Sequence, residues 1–273
     1  MSLKPSRQVG MAFFFIRYIL MKLLLPDNIY ARLFSLVVPG IHEENIIYTG
    51  SATISRELDD ERAHIALIPS MDLLSYNQFF VSGKAGISFD GTLSNSYFYF
   101  LKHLRMVKQI YLRGDVSKNE VILTKIIFAE QFDTQIEIFL DSKPFELNAN
   151  NYLVCGDDNI KGDIFEAGLS LADQVSDLLE APYVNYVLAS KDEQLLKNFT
   201  AQIDNLDKIL EDNFDNLIKR IDTTNNIKET IKENLNSVYF DITEVEKKSL
   251  NTLLQLPYFT QVLPDIVEIK IVD

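Results

Sequence analysis

The chain has 273 residues, of which 47% are hydrophobic and 24% charged, so it is long enough for one large α/β unit or for two lobes with a sizeable core. Lysine and arginine total 26 against 39 aspartates and glutamates, which gives a formal net charge of −13 and argues against a nucleic-acid or anionic membrane surface. The single cysteine excludes an intramolecular disulfide, and the three histidines show no metal-ligand spacing.

Residues 1–20 precede the first predicted strand, and we expect them to form an N-terminal extension. The apolar run at 11–25 contains Arg17 and Lys22 and is too short and too charged to span a bilayer, which needs about 20 apolar residues. A signal peptide is the alternative, although no small-x-small cleavage site follows the run. Because the lone Cys155 gives no sign of an oxidising compartment, we expect a cytoplasmic protein without a membrane partner.

The first part of the chain alternates buried strands with helices. We predict strands at 23–25, 45–48 and 64–68, with helices at 28–38 and 51–62 between them. Strands this apolar, separated by helices, are typical of a parallel sheet that is covered on both faces. Right-handed crossovers then bring the strand ends, and any ligand, to one edge of that sheet.

The middle of the chain has shorter strands with turns at Gly83 and Gly91. Ser117 and Glu120 have the spacing of a capping box that opens a helix, and a further helix is predicted at 168–180. The predicted strands are 79–81, 86–89, 96–101, 107–112, 136–140, 152–154 and 183–188.

The C-terminal part is predicted to be helical. Apolar residues recur every three or four positions from Leu196 to Ile221, which indicates an amphipathic stripe of about seven turns. A second helix is predicted over 227–238, and a third after a cap at Asp241–Glu244. We expect these helices to pack on the first lobe, and a coiled-coil arm for a protein partner is the alternative.

These blocks predict an α/β fold with two lobes, each a mixed sheet flanked by helices, and a helical C-terminal segment. Lobe 1 is expected to comprise 21–93 and 191–273, and lobe 2 to comprise 94–190. A chain that crosses twice between lobes is typical of hinged, periplasmic-binding-protein-like proteins, which close on a small ligand in the cleft.

Four short motifs then occur in order: HIALIPS at 64–70, AGISFDG at 85–91, LVCGDD at 153–158 and APYV at 181–184. Together they resemble the menaquinone-biosynthesis family of the futalosine pathway that contains chorismate dehydratase and its sister enzyme, cyclic dehypoxanthine futalosine synthase. The resemblance covers roughly residues 21–190 and implies a type II periplasmic-binding-protein fold. It also implies a carbon–oxygen lyase that removes water from chorismate in a closed cleft, without a metal or an organic cofactor.

The resemblance implies roles for four residues near the strand ends. Asn28 corresponds to an asparagine that the dehydratases hold against the substrate and is the candidate catalytic residue, although it is equally suited to be a helix N-cap. Ser70 ends the third strand, and Ser88 and Gly91 match a serine-rich segment that lines the cleft. Gly91 has a turn position as its alternative role.

The candidate carboxylate-holding segment departs from the family pattern. The family's Ser-Arg-Thr-Ser stands here as Ser117-Lys118-Asn119-Glu120, and Asn95 lies where the family has Pro-Val-x-Ser. We take Ser117 and Asn119 as candidate substrate-binding residues, because a helix N-terminus offers free N–H groups to an anion. Asn95 is a further candidate, expected to hydrogen bond the substrate together with Ser88. Glu120, however, would reach back to its own cap and repel a carboxylate.

Three functions remain open at this point. The altered anion-holding segment favours a non-catalytic protein that binds a small carboxylate, whereas Asn28, Ser70 and Ser88 favour a chorismate dehydratase-like enzyme. Because several strand-end motifs persist together, the enzyme is the first hypothesis and the binding protein its alternative. An interaction protein that uses its C-terminal helices is the third alternative. The partner expected for the first two is a small-molecule carboxylate, and the oligomeric state, monomer or dimer, is left open.

Overall fold

The computed structural model describes residues 21–102, 106–143, 146, 149–160 and 168–273. The predicted N-terminal extension, residues 1–20, lies outside the described residues. Two β-sheets flanked by helices form the structure, which confirms the predicted mixed α/β fold class. We refer to the two sheets, each with its connecting segments, as the first and the second lobe.

The first sheet has the strand order β11-β4-β10-β3-β1-β2, and β12 pairs with β4. The predicted parallel arrangement is found for β1, β2 and β3, whereas β10 and β11 run antiparallel to their neighbours. Its strands are β1 (Leu23–Pro26), β2 (Ile46–Thr49), β3 (Ile65–Pro69), β4 (Phe80–Phe89), β10 (Tyr183–Ser190), β11 (Val238–Asp241) and β12 (Lys270–Val272).

The second sheet has the strand order β7-β6-β8-β5-β9. Strand β6 pairs in parallel with β7 and β8, and β5 is antiparallel to β8 and β9. Its strands are β5 (Ser96–Tyr99), β6 (Gln109–Gly114), β7 (Glu137–Leu140), β8 (Tyr152–Cys155) and β9 (Leu169–Ser170).

The helices cover the sheets, and one apolar core cluster contains buried residues of both, among them Leu24 of β1 and Leu153 of β8. In the C-terminal segment, α5 contacts β4 and β10 of the first sheet, and α8 contacts β10. The helices are α1 (Ile29–Val37), α2 (Ile54–Asp59), α3 (Lys118–Phe132), α4 (Leu171–Leu179), α5 (Glu193–Thr200), α6 (Leu206–Leu217), α7 (Asn225–Glu233) and α8 (Glu244–Phe259).

Strand β10 lies at the end of the range 94–190 that the sequence assigned to lobe 2, yet it is hydrogen bonded between β3 and β4 of the first sheet. All eight of its residues are buried, as suits a central strand with both faces covered. The chain therefore returns to the first lobe before residue 183. This return brings β10 to the boundary with the second lobe.

Three other elements of the structure differ from the predicted ones. Gly83 lies within β4 rather than ending a strand, but the register of β4 against β10 shifts there, and Ser82 Oγ accepts hydrogen bonds from the backbone of residues 84 and 85. The long C-terminal stripe divides into α5 and α6, since Asn205 has the left-handed φ of 56°. Val238 begins a strand rather than ending a helix.

Candidate functional site

The carboxyl ends of the three parallel strands meet the second lobe at one edge of the first sheet. Asn28 follows β1, Ser51 lies just beyond β2, and Ser70 follows β3, and all three side chains are fully buried. Such an edge is where α/β proteins usually bind ligands. The second lobe covers it with Asn95 before β5 and Asp115 after β6.

Five polar side chains join the lobes at this edge: Asn28, Ser51, Asn95, Asp115 and Tyr186, which we name the Tyr186 network. The Tyr186 hydroxyl accepts hydrogen bonds from Asn95 Nδ2 at 3.2 Å and from Asn28 Nδ2 at 3.4 Å. It lies 3.0 Å from Ser51 Oγ, which itself donates to Asp115 Oδ2 at 2.5 Å. Because serine has one hydroxyl hydrogen, Tyr186 must donate its own to Ser51. The donors therefore point in sequence towards the Asp115 carboxylate.

The protonation state of Tyr186 favours this order of hydrogen-bond donors. Burial raises the pKa of Tyr186 well above its ordinary value, and the nearby Glu120 and Asp115 carboxylates add to the effect. The phenol consequently stays a donor at neutral pH. Burial also raises the pKa of Asp115, although the hydrogen bonds from Ser51 oppose that shift. All five members of the network are neutral or negatively charged groups.

Of the two roles considered for Asn28, the structure shows the helix N-cap, and the amide also joins the Tyr186 network. Its Oδ1 accepts a hydrogen bond from Ala31 N at 2.9 Å, so the predicted N-cap of α1 is confirmed. Its Nδ2 reaches Tyr186 from the same amide group. The cap thus fixes the orientation in which the amide faces the second lobe.

A second cluster surrounds Asn119, the second residue of α3. Asn119 Nδ2 donates to the backbone oxygen and to Oδ1 of Asn185, both at 2.7 Å. Asn119 Oδ1 accepts from Met71 N at 2.8 Å and from Ser70 Oγ at 3.4 Å. Tyr183 donates its hydroxyl to Asn185 Oδ1 at 2.9 Å. The structure therefore brings together two of the predicted residues, Ser70 and Asn119, across the lobe boundary.

Ser117 is engaged within its own helix terminus. The predicted capping box is confirmed, with Ser117 N and Oγ donating to Glu120 Oε2 at 2.8 and 2.6 Å. Ser96 Oγ donates to the other carboxylate oxygen of Glu120 at 3.1 Å. Glu120 is 1% exposed, and burial raises its pKa. A protein carboxylate thus lies at the helix start that the resemblance assigned to a substrate carboxylate.

Ser88 and Gly91 are not hydrogen bonded to either cluster. The Ser88 hydroxyl is buried and has no hydrogen-bond partner among the described residues. Gly91 has a φ of +123°, and a Cβ there would lie 2.9 Å from Ser237 Oγ. This geometry fits the turn position considered for Gly91, because a side chain would be strained there.

The central members of both clusters, Tyr186 and Asn185, lie in the apolar strand β10, and sequence reasoning assigned them no role. The sequence feature that could have indicated a role for Asn185 is its position as a polar residue inside an apolar strand. Adjacent residues of a regular strand face opposite sides, but the register of β10 against β4 shifts between Val184 and Tyr186. Ser51 and Asp115 were missed because each contact joins residues far apart in sequence.

A groove runs along the lobe boundary beside the Tyr186 network, and we name it the interlobe groove. Its narrow middle holds about 20 Å³, space for one water molecule, between Asn95, Tyr97 and Ile231. One end widens to about 340 Å³ beside Asp157, and the other to about 390 Å³ beside Asp173. Ile29 and Ile160 line both the middle and the first end, so these spaces adjoin.

Two features of the described part of the chain concern metals and membranes. Within it, no group of three or more histidine, cysteine, aspartate or glutamate side chains is arranged to hold a metal ion. None of the described helices is both long and apolar enough to cross a bilayer.

Comparisons with known proteins identify the fold. No protein-family model and no curated protein matches the sequence. Among solved structures, protein AF1704 of Archaeoglobus fulgidus superposes with a TM-score of 0.64 at 13% identity, covering 89% of this chain and 98% of that chain. The Candida albicans CA3427 product, which defines a family with the generic periplasmic binding protein fold, gives 0.56 at 12% identity and covers 90% and 91%.

The alkanesulfonate-binding protein SsuA of Xanthomonas axonopodis, bound to MOPS, gives a TM-score of 0.60 at 10% identity and covers 92% and 97% of the two chains. Identities this low show the fold alone. The chain therefore has a periplasmic-binding-protein-like fold, and the predicted fold class is confirmed.

Proposed function

We propose that the protein binds a small molecule between its lobes. The observation that carries this proposal is the Tyr186 network, which joins four buried polar side chains and the half-buried Asp115 from both lobes and meets the interlobe groove at Asn95. Buried amides and hydroxyls are costly to desolvate unless they are hydrogen bonded. Groups that satisfy one another in the closed form can instead satisfy a ligand when the lobes separate.

The fold supports a hinge motion for ligand entry. Two-lobed proteins of this architecture open and close around few connecting residues. The groove is narrowest beside Asn95 and Tyr97, so a molecule larger than water reaches Asn95 only after the lobes move apart. SsuA, which shares the fold, is described as bound to MOPS, and this supports a ligand between the lobes here by analogy of fold.

A thermal-shift screen tests the proposal. The screen uses sugars, amines, aromatic amides and carboxylates at millimolar concentration, because binding to the native state raises the free energy of unfolding by RT ln(1 + [L]/Kd). The hit should lose its effect in Asn95→Ala and keep it in Asn198→Ala, a change on α5 in the C-terminal segment. A hit that stabilises Asn95→Ala as much as the wild type contradicts binding at this site.

Chorismate dehydration is the second candidate. It is supported by the burial of Asn28, Ser70, Asn95, Ser117 and Asn119 near one lobe boundary. The carboxylates of Asp115 and Glu120 in the same region weigh against a substrate with two carboxylates. For this reason we rank ligand binding first.

The enzyme hypothesis has a direct test. Purified protein should consume chorismate in a chromatographic assay, and Asn28→Asp should abolish turnover, because aspartate keeps the cap of α1 but lacks the amide donor. Asn28→Ala confounds the two roles, since it also removes the cap. If chorismate is neither consumed nor stabilising to the wild type, the dehydratase hypothesis is refuted. The cytoplasmic location remains a prediction that cell fractionation tests.

A further inference from the structure

Two aspartates of the second lobe bind backbone donors of the first lobe. Asp115 Oδ1 accepts a hydrogen bond from Ser51 N at 2.8 Å, while its Oδ2 accepts from Ser51 Oγ at 2.5 Å. Asp157 Oδ1 accepts from Ile29 N, at the start of α1, at 2.9 Å. Both carboxylates therefore occupy donors at the strand edge where a ligand of this fold is expected.

The surroundings of Asp115 are shaped to a carboxylate. Ser51 supplies one donor to each oxygen, which is a bidentate arrangement from a single residue. Gly50 lies on one side, where a Cβ would be 3.6 Å from Asp115 Oδ1, and Gly156 lies on the other, where a Cβ would be 3.0 Å from the Cβ of Asp115. Gly114, with a φ of +84°, turns the chain at the end of β6 and directs Asp115 into this space.

We propose that Asp115 stands in for the acidic group of a ligand, and so makes the cleft selective for uncharged or cationic molecules. This inference rests on the proposed ligand-binding function and names its ligand class. An anionic group brought to Ser51 would find both donors occupied and would lie beside a like charge, which is unfavourable in a partly desolvated site. Asp157 likewise disfavours an anionic ligand, because it occupies the Ile29 N donor at the start of α1.

Chemical rescue tests the inference in the full chain. Asp115→Ala removes the carboxylate and leaves Ser51 N and Oγ free to bind an added one. Acetate should raise the Tm of this variant by roughly 2–4 °C and shift the Ser51 amide resonance in a ¹⁵N NMR spectrum, whereas acetamide should do neither. The wild type and Asp141→Ala, an acid of the second lobe bonded to the Lys143 backbone, should not respond to acetate.

Two outcomes overturn the inference: an Asp115→Ala protein that ignores acetate, or a wild type whose Ser51 amide shifts with acetate. The wild-type measurement keeps the test decisive if the alanine variant does not fold, and Asp115→Asn then serves as the isosteric variant that should also bind no acetate. Failure of the ligand screen with successful rescue refutes the binding function, and with it the ligand class, but leaves Asp115 in the place of an acidic group. A wild-type ligand with failed rescue refutes only the role of Asp115.

Discussion

Tyr186→Phe is the most informative single substitution, because it removes only the hydroxyl group and keeps the aromatic ring in place. The Tyr186 side chain is 1% exposed, and its hydroxyl accepts from Asn28 and Asn95 and donates to Ser51. Its removal deletes these bonds and leaves the Asn95 amide hydrogen buried without that acceptor. A lost neutral hydrogen bond costs about 1 kcal/mol and a stranded buried donor about 1–3 kcal/mol.

The free energy of unfolding should therefore fall by roughly 2–4 kcal/mol, with most of the loss from Asn95 and Ser51, since the bond from Asn28 is long. At 2–4 °C per kcal/mol for a protein near this size, the Tm should drop by roughly 5–15 °C. Urea unfolding followed by circular dichroism measures the change directly, and an unaltered m-value shows that native compactness is retained.

Tyr183→Phe is the matched control in the same strand. Tyr183 is also 1% exposed, but its hydroxyl donates to Asn185 Oδ1, which keeps the bond from Asn119 when the hydroxyl is removed. The loss there should be about 1 kcal/mol. Equal or larger destabilisation by Tyr183→Phe would refute the reasoning that Tyr186 is the centre of the interlobe network.

Three further predictions follow from local geometry. Burial raises the pKa of Asp207 to about 6, so the native state holds this proton more tightly than the unfolded chain. The free energy of unfolding should therefore fall as pH rises from about 4 to about 6. Asp207→Asn should flatten that part of the stability–pH profile, whereas Asp212→Asn on the same helix should not. Gly114→Ala should lower the free energy of unfolding by more than about 3 kcal/mol in urea titrations, because φ is +84° and a Cβ would lie 2.1 Å from a backbone oxygen. The control Gly50→Ala introduces a Cβ at ordinary contact distance. Similar urea unfolding curves for the two variants would contradict this prediction. Cys155 is buried and its pKa is raised by burial, so Ellman's reagent should react with it only after denaturation; rapid labelling of the native protein would show the thiol to be accessible.

Local patterns were sufficient for the elements whose cause is local. The apolar runs of β1 and β3, the cap at Asn28 and the capping box of Ser117 and Glu120 each depend on residues within one turn or strand, and all are found. The C-terminal stripe was interpreted as longer than it is. Its break before α6 depends on Asp241, which accepts hydrogen bonds from Leu206 N and the following amide across 35 positions of sequence.

The candidate site was predictable to the extent that strand ends predict it. Asn28 and Ser70 follow parallel strands, and their convergence at one edge follows from chain topology alone. Asn95 and Asn119 stand where the sequence departs from the family pattern, and both lie at the lobe boundary. Asp115 had no local signal, because an acid after a strand is ordinary until the opposite lobe supplies its donors.

The sequence itself thus determined the two-lobed α/β architecture and the polar residues Asn28 and Ser70 that follow its parallel strands. It did so through hydrophobic periodicity and caps that act over a few residues. Only the tertiary structure decided that β10 belongs to the first sheet and that Tyr186 faces Ser51 and Asn95. The physical reason is that the packing of the two lobes juxtaposes groups from separate parts of the chain. Hydrogen bonding between such groups depends on their positions in space, which no local pattern encodes.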